Sequence, residues 1–541
     1  MPSRTSHLLT PKLVTVLREG YTRAHLAADA LSALTVSIVA LPLSMAIAIA
    51  SGVEPQRGLY AAIIGGFLVS ALGGSRHQIG GPAGAFIVLV STTVMTYGVS
   101  GLLTATLLAG IMMLLAGYAR LGTYIRYIPF PVTVGFTGGI ATIIFASQLR
   151  DLFGLKLPGA EPGPLLDKLG ALAAAAPTFS TSAVVVSALT IVLIAGFRAW
   201  RPRWPNLLIA VVTASLLAAV LGLDVETIGT RFGSIPRGLM VPALPTHDWH
   251  EVTAMLPTAV SFALLGSIES LLSAVVADSM TGRRHRSNCE LIAQGFANIG
   301  SALFGGICVT GTIARTATNV RSGAHGPISG MLHSVFLLAF ILFAAPLASY
   351  IPLAALAGLL ATVAWNMAEK HAFATLLRGS RAEAVVLLAT FGLTIFRNLT
   401  EGIVVGFALS ALIFIHRMSH AVSIEGFGVA GQDDAADESE ANSTEGRTTD
   451  RSEVIVRITG AFFFGAAANV VSALDRIGDR PRRYVLDFSA VPIIDATGAV
   501  TIAGFVKRKT SRGAEVSIVG ASAQVRQELL AHGVEVTAPV V

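Results

Sequence analysis

From about residue 27 to residue 415 almost every window of the chain is apolar, and the charges gather in short clusters between windows. A helix crosses the hydrocarbon core of a bilayer with about 20 apolar residues. Clear windows of this kind lie at 31–51, 102–119, 132–146, 183–197, 207–221, 260–277, 332–351 and 403–415. Weaker or glycine-broken ones lie at 60–72, 87–99, 291–303, 312–320, 353–364 and 385–396, which brings the expected total to about fourteen. Charged residues make up only 13% of the 541 residues, against about 25% in a soluble domain. A buried-helix soluble core does not account for so many apolar segments. The expected fold is a polytopic α-helical membrane protein.

Basic residues orient such a chain, because loops rich in Lys and Arg stay in the cytoplasm. Alternate loops carry them: Arg76; Arg120 and Arg126; Arg198, Arg201 and Arg203; Arg283, Arg284 and Arg286; Lys370, Arg378 and Arg381. The intervening segments 52–58, 150–181 and 222–251 are poorer in Lys and Arg and richer in Pro and Gly. Both termini are therefore expected in the cytoplasm of a bacterial inner membrane. Arg4, Lys12, Arg18 and Arg23 precede the first span without a cleavable apolar stretch, so no removable leader is expected. The isoelectric point near 9.5 reflects these loops and does not call for nucleic acid. Cys289 and Cys308 are too few and too isolated for a disulfide framework or a metal site. No cofactor is expected.

After Arg417 the composition changes. The chain divides into a cytoplasmic N-terminal segment (1–25), a membrane part (26–420), an acidic flexible linker (421–452) and a soluble cytoplasmic domain (453–541). Residues 428–452 have many carboxylates and no apolar periodicity, the composition of a solvated spacer. From 453 onward strands alternate with helices: VIVRITG, AAANVVSALDRIG, RYVLDFSAV, TGAVTIAGFVKRKTSRG, AEVSIVG and AQVRQELLAHG. That alternation implies a small α/β layer. Asp495 is placed to cap the helix that begins with Thr497. No phosphate-binding loop of the Walker type is present, so ATP-driven chemistry is not expected, and neither is an enzyme.

Two short Gly/Pro-broken segments stand at matching places in the two halves of the membrane part. HQIGGPAGAF (77–86) opens the third window and GGICVTGTIAR (305–315) opens the tenth. Matched interruptions of this kind mark a binding site at mid-membrane. Two half-helices meeting head to head leave free N–H groups and positive dipole ends facing one cavity, which favours an anion. Arg315 sits at the second break, where a charge is costly and usually functional. It either supplies the field for a substrate or ties the structure to a carbonyl or carboxylate. Glu269 lies well inside SFALLGSIESLLSAVVADSM (261–280), with Ser270 beside it and Ser273 at i+4 on its face. Burial favours the uncharged carboxyl, which suits Glu269 to reversible proton uptake. A sodium ligand and a permanent partner for Arg315 are the other roles open to it. Asp278 is nearer the basic loop and reads as a helix-end residue.

These residues carry a resemblance. LPLSMAIAIASGVEPQRGLYAA (41–62), GGPAGAF (80–86), IPFPVTVGFTGGI (128–140) and SIESLLSAVVADSMTGRRHRSNCELIAQGFANI (267–299) resemble the SulP (sulfate permease) family of anion transporters. LDFSAVPIIDATG (486–498) resembles the STAS domain, with Thr497 where bacterial anti-sigma-factor antagonists carry their phosphorylatable serine. Thr497 either packs and caps the helix or is a regulated site. The resemblance implies a seven-plus-seven inverted repeat with core and gate domains, elevator movement, a homodimer and a cytoplasmic protein partner for the STAS domain. It also implies an anion held between the third and tenth helices. The corresponding positions are Leu43, Ser44 and Ile47; Gly84, Ala85 and Phe86; and Gly311, Thr312, Ile313, Ala314 and Arg315. Glu269 is the position for proton coupling, and Ser273 belongs to a cation site or the cavity.

Two departures bear on the substrate. IESLLS (268–273) stands where bicarbonate-transporting relatives have an aspartate and a threonine for sodium, which points to the proton instead. Leu43 stands where animal anion channels carry a glutamine. IAR (313–315) and VAWNMAE (363–369) are most similar to the branch that takes up C4-dicarboxylates such as succinate and fumarate. The expectation is a secondary, proton-coupled anion importer, with sulfate or bicarbonate as the alternative substrate. An anion channel or sensor acting through the STAS domain is a second reading. A neutral nucleobase carrier is a third, which Arg315, GGPAGAF and the tail oppose.

Overall fold

The computed structural model describes residues 9–125, 129–159, 161–162, 164–201, 205–245, 249–397, 399–420, 423–428, 453–463, 466–467, 470 and 482–535. The chain forms two compact units, Met1–Phe407 and Ala408–Val541.

The first unit opens with α1 (Arg23–Ala50), started by a capping box in which Thr22 Oγ1 accepts from the His25 N–H. The second segment runs from Pro55–Tyr60 through a π turn, Ala61–Gly65, into Gly66–Leu72. A two-residue strand, β1 (Gly80–Gly81), and a 3₁₀ turn, Gly84–Phe86, then lead into α2 (Ile87–Tyr118). Gly98 adopts φ 68° and ψ −175° inside α2, so the element is two helices, as the windows 87–99 and 102–119 predict. Phe130–Phe153, Thr181–Trp200 and Asn206–Val220 complete the first half.

The second half repeats the order. It comprises α3 (Trp249–Thr281), α4 (Ser287–Leu303), β2 (Thr310–Gly311), α5 (Ile313–Arg321) and α6 (Ile328–Ala348), followed by Leu353–Met367, Arg381–Phe396 and Leu399–His420. Seven of the described helices are long and apolar enough to cross a membrane, and the chain is a multi-pass membrane protein. Shorter helices fill the remaining windows, including Leu353–Met367 and α5. Segments 150–181 and 222–251, poor in Lys and Arg, hold the short helices Leu165–Ala175 and Ile228–Phe232.

Packing sorts the helices into two groups. In one, α2 lies on α3 and α4, while α6 lies on α1. In the other, Phe130–Phe153 lies against Leu353–Met367 and Arg381–Phe396. Glycine permits the closest approach, since helices in lipid associate through small residues rather than hydrophobic exclusion. A Cβ on Gly110 would stand 2.8 Å from the Gly295 carbonyl, and one on Gly117 would stand 2.6 Å from Ile292 Cγ1. The N-terminal segment is not free of this unit: the Lys12 N–H donates to the Gly73 carbonyl at 2.9 Å, and Val16 is fully buried.

The second unit is a four-stranded sheet in the order β3 (Ser423–Gly428), β4 (Glu453–Thr459), β5 (Arg483–Ala490) and β6 (Glu515–Val519). The pairs β4–β5 and β5–β6 are parallel, and β3 runs antiparallel to β4. Helices α7 (Ala496–Thr510) and α8 (Ala523–Ala531) follow the strands, as the β/α alternation predicts. Residues 423–428 correct the expected linker boundary. SIEGFG pairs with β4 along its length, and its two glycines hide the apolar alternation that marks a strand. The rest of the expected linker, 421–422 and 429–452, and most of the expected helix AAANVVSALDRIG lie outside the described residues. The core of this unit is built by Val456, Ile458, Tyr484, Phe488, Ile502 and Phe505.

Candidate functional site

The two Gly/Pro-broken segments meet. β1 pairs antiparallel with β2, Gly80 opposite Gly311 and Gly81 opposite Thr310. Both outer glycines are required by close approach. A Cβ on Gly311 would collide with the Gln78 side-chain amide, and one on Gly81 would collide with Nη1 of Arg315. The register is closed by the Thr312 N–H and Oγ1, which donate to the Ile79 carbonyl at 3.0 and 3.1 Å. Two asparagines pin the flanks. Asn298 exchanges two 2.8 Å bonds with the Val309 backbone, and Asn319 Nδ2 donates to the His77 carbonyl at 2.9 Å.

Beyond the paired strands, the chain enters the 3₁₀ turn Gly84–Phe86 on one side and α5 on the other. Ala83 and Thr312 hold extended backbone, and no side-chain hydrogen bond caps either start. The first N–H groups of a helix have no intrahelical partner and carry about half a positive charge. Arg315 adds a full one. Its side chain is 1% exposed, its Nη2 donates to the Pro82 carbonyl at 2.9 Å, and its Nε and Nη1 have no partner.

Glu269, on α3, is buried and makes no ion pair with Arg315. The permanent-partner role is therefore not realised. Glu269 is instead within electrostatic reach of Glu369, which precedes the helix Lys370–Arg378 in a left-handed backbone, φ 37°. Glu369, Lys370, His371 and Phe130 line a wide-open surface depression of about 630 Å³. The Ser273 hydroxyl donates to Thr316 Oγ1 at 3.1 Å, the same oxygen that receives the Ile79 N–H.

The other expected positions fall as follows. Leu43, Ser44 and Ile47 are buried on α1, and Ser44 Oγ has no partner. Gly84 faces the second helix group, where a Cβ would stand 3.3 Å from Ile144 Cδ1 and 3.5 Å from Met367 Sδ. Ala85 is buried, and the Phe86 ring lies 5.9 Å from Phe262. Ile313 is half-buried and Ala314 is exposed at the first turn of α5. In the second unit Asp495 caps α7 as expected, accepting from the Gly498 N–H at 2.8 Å, and Thr497 is exposed beside it.

Sequence reading missed the frame. Glu290 is fully buried on α4 and accepts from Gly74, Ser75, Gln78, Ser270 and Gln294. Its signal was present: Glu290, Gln294 and Asn298 recur every four residues in an apolar window, a polar stripe on one helical face.

A model of the sulfate permease family matches residues 26–390, and a STAS domain model matches 444–537. YvdB of Bacillus subtilis (strain 168), provisionally named a sulfate transporter, is 36% identical over 519 residues, 94% of each chain. The bicarbonate transporter BicA of Synechocystis is 30% identical over 524 residues, 93% of this chain and 90% of that one. The solved transmembrane domain of a cyanobacterial BicA is 31% identical with a TM-score of 0.64, over 71% of this chain and 98% of that one. The overall structure of SLC26A9 gives a TM-score of 0.82 over 96% of this chain and 88% of that one; at 18% identity it speaks to the fold alone. Sulfate and bicarbonate in these names agree with the alternative substrate expectation better than with C4-dicarboxylates.

Proposed function

The chain belongs to the sulfate permease family, and we propose that it is a secondary transporter of a small inorganic oxyanion, sulfate first and bicarbonate second. The observation that carries this reading is Arg315: a buried guanidinium with one hydrogen bond and no carboxylate beside it, where two uncapped helix starts converge. An uncompensated buried charge costs several kcal/mol. A bound oxyanion offsets that cost, accepting from the free N–H groups at both helix starts while the Arg315 charge acts over short range. Sulfate precedes bicarbonate because of YvdB and because Glu269 stands where sodium-dependent bicarbonate carriers have aspartate.

Glu269 supplies the coupling. An ionised Glu269 repels an incoming anion; protonated, it does not. Anion and proton therefore enter together, and the acid side of the membrane is the side of uptake. Gly84 at the boundary with the second helix group fits an elevator movement of the hairpin-bearing group against the other. The setting is a bacterial inner membrane, with both termini cytoplasmic, as a homodimer, and with the STAS domain free to take a cytoplasmic protein partner near Thr497.

Uptake of radiolabelled sulfate into proteoliposomes tests the reading, with bicarbonate, succinate and fumarate as competitors. Sulfate should accumulate when the outside is acid, and bicarbonate should compete. The Glu269→Gln protein should still move sulfate while ignoring the gradient. Gradient-driven uptake by Glu269→Gln at the parent rate would remove Glu269 from the mechanism, and failure of both oxyanions to enter or compete would remove the function.

A further inference from the structure

α1 begins in a way that only a neutral histidine permits. In its capping box the Thr22 N–H donates to Nδ1 of His25 at 3.3 Å, while Thr22 Oγ1 accepts from the His25 N–H at 3.3 Å. A backbone N–H can only donate, so Nδ1 of His25 holds a lone pair and the ring carries no charge. This ring lies flat on a second one, His325 in the turn between α5 and α6. The two centroids are 3.7 Å apart and the planes are 3° from parallel. Both residues are half-buried, which leaves them open to protons from solvent.

The stack closes a joint between two parts of the chain far apart in sequence. Asp29, fully buried one turn along α1, accepts from the His325 and Gly326 N–H groups through Oδ1 at 2.6 and 3.1 Å. Its Oδ2 accepts from the Tyr21 hydroxyl at 2.6 Å, and the Tyr21 ring packs 5.7 and 6.0 Å from the two histidines. Further along, Ser32 on α1 donates to Asn319 on α5, the residue that holds the His77 carbonyl. The joint therefore ends the contact between α1, which carries Leu43, Ser44 and Ile47, and α5, which carries Arg315. Two parallel imidazoles at this spacing can share one proton but repel strongly when each holds one. Arg76 and His77 at the first broken segment and Arg283 in the turn after α3 add to that repulsion, and Asp29 opposes it. Burial, and after it His25, hold His325 below the usual histidine range.

We propose that His25 and His325 form a proton-operated brake on transport: neutral, the stacked pair clamps the start of α1 to the α5–α6 turn, and charging both rings opens the clamp and slows the anion. The inference rests on the function proposed above. With the clamp open, α1 and α5 lose the spacing that the anion site needs, and the capping box loses its acceptor. The clamp is complete above the ordinary histidine value of about 6.5 and is lost as pH falls through the lower value of the clamped ring. In the orientation proposed above the pair faces the cytoplasm, so protons carried in with the anion act back on the carrier.

The test is exchange of radiolabelled for unlabelled sulfate by the full chain in proteoliposomes with the same pH on both sides, which removes the gradient. His325→Phe keeps a flat ring over His25 and takes no proton. His25→Gln keeps the capping box through its side-chain carbonyl and takes none either. Each should exchange sulfate within about twofold of the parent at about pH 7.5 and about fivefold faster than the parent at about pH 5.5, because a single ring has no charged neighbour to repel it. Glu269 is common to all three proteins, so its own titration cancels in the ratio. A ratio to the parent that stays flat between the two pH values overturns the inference and leaves the function intact. Thermal melting gives a reading that needs no transport: His325→Phe should melt with the parent at the neutral pH and above it at the acid one, and equal melting at both overturns the inference. If His325→Phe does not fold, His25→Gln decides by the same two comparisons. A parent without saturable exchange of sulfate or bicarbonate overturns the function and the brake together.

Discussion

Glu290 and Arg315 are buried to the same depth beside the same pair of strands, and the chain treats them in opposite ways. Glu290 Oε2 accepts from the Gly74 and Ser75 N–H groups at 2.9 and 3.1 Å. Its Oε1 accepts from Gln78, Ser270 and Gln294 at 3.0, 3.2 and 3.1 Å. Every acceptor direction is used, and the donors come from three separate parts of the chain. Arg315 has five donors and gives one to the protein. A buried charge whose hydrogen bonds are saturated behaves as a joint, since removing it strands its partners. A buried charge with donors to spare is poised for something that arrives later. Burial is equal at the two residues; what separates frame from site is how many of their hydrogen bonds the protein itself fills.

Removing the joint should therefore have the largest effect. Glu290→Ala leaves five donors facing a cavity and should cost about 3–5 kcal/mol, read as loss of folded protein in the membrane or a steep fall in melting temperature. A Glu290→Ala protein that melts like the parent would break the comparison. Gly81→Ala comes next. The new methyl meets Arg315 Nη1, and overpacking of this kind costs about 1–3 kcal/mol. Because the strain falls on Arg315, sulfate uptake should drop more steeply than stability does. The reverse order would assign Gly81 to the frame.

The smallest effect belongs to the second unit, where charge decorates a core that apolar residues build. Asp487 is pushed up by burial. The 2.8 Å bond from Arg457 Nε and the 2.9 Å bond from the Ser489 N–H outweigh that and hold it below the usual carboxylate range. Folding therefore favours the ionised form. The resulting stability is present above the unfolded value, about 3.9 for aspartate, and is lost as pH falls through the lower folded one. Asp487→Asn in the full chain should lower the melting temperature of this unit at pH 7 by the equivalent of about 0.2–1 kcal/mol, the scale of a half-exposed pair. The gap from the parent should close on acidification below about pH 4. A gap that widens instead would show that Asp487 folds as the neutral acid.

Much of this was legible in the chain because it depends on local spacing. Apolar length gives the helices, the paired breaks HQIGGPAGAF and GGICVTGTIAR give the crossing, and D-x-T-G gives the cap by Asp495. Ser423–Gly428 was not legible as a strand, because its pairing partner lies about thirty residues further on and two of its six positions are glycine. Glu290, Asn298 and Asn319 were missed for a related reason: they bind backbone groups at Gly74, Val309 and His77, and for Glu290 also the side chains of Gln78 and Ser270, which the fold brings close. Of the roles left open for Glu269, the partnership with Arg315 is the one the fold does not make, because the two sit on separate helices that the spacing alone does not bring together. The substrate preference was the least legible, since sulfate, bicarbonate and a dicarboxylate all ask for the same positive field.

The central claim is that Arg315 serves an arriving anion rather than the fold. Equilibrium binding of radiolabelled sulfate to the purified full chain, parent against Arg315→Gln, with both confirmed as folded by thermal melting, tests it most directly. The expected result is saturable binding by the parent, at least tenfold weaker in Arg315→Gln, with a melting temperature that is unchanged or higher because a costly buried charge is gone. Parental sulfate affinity in Arg315→Gln, with a melting temperature that collapses, would contradict it and make Arg315 a structural tie.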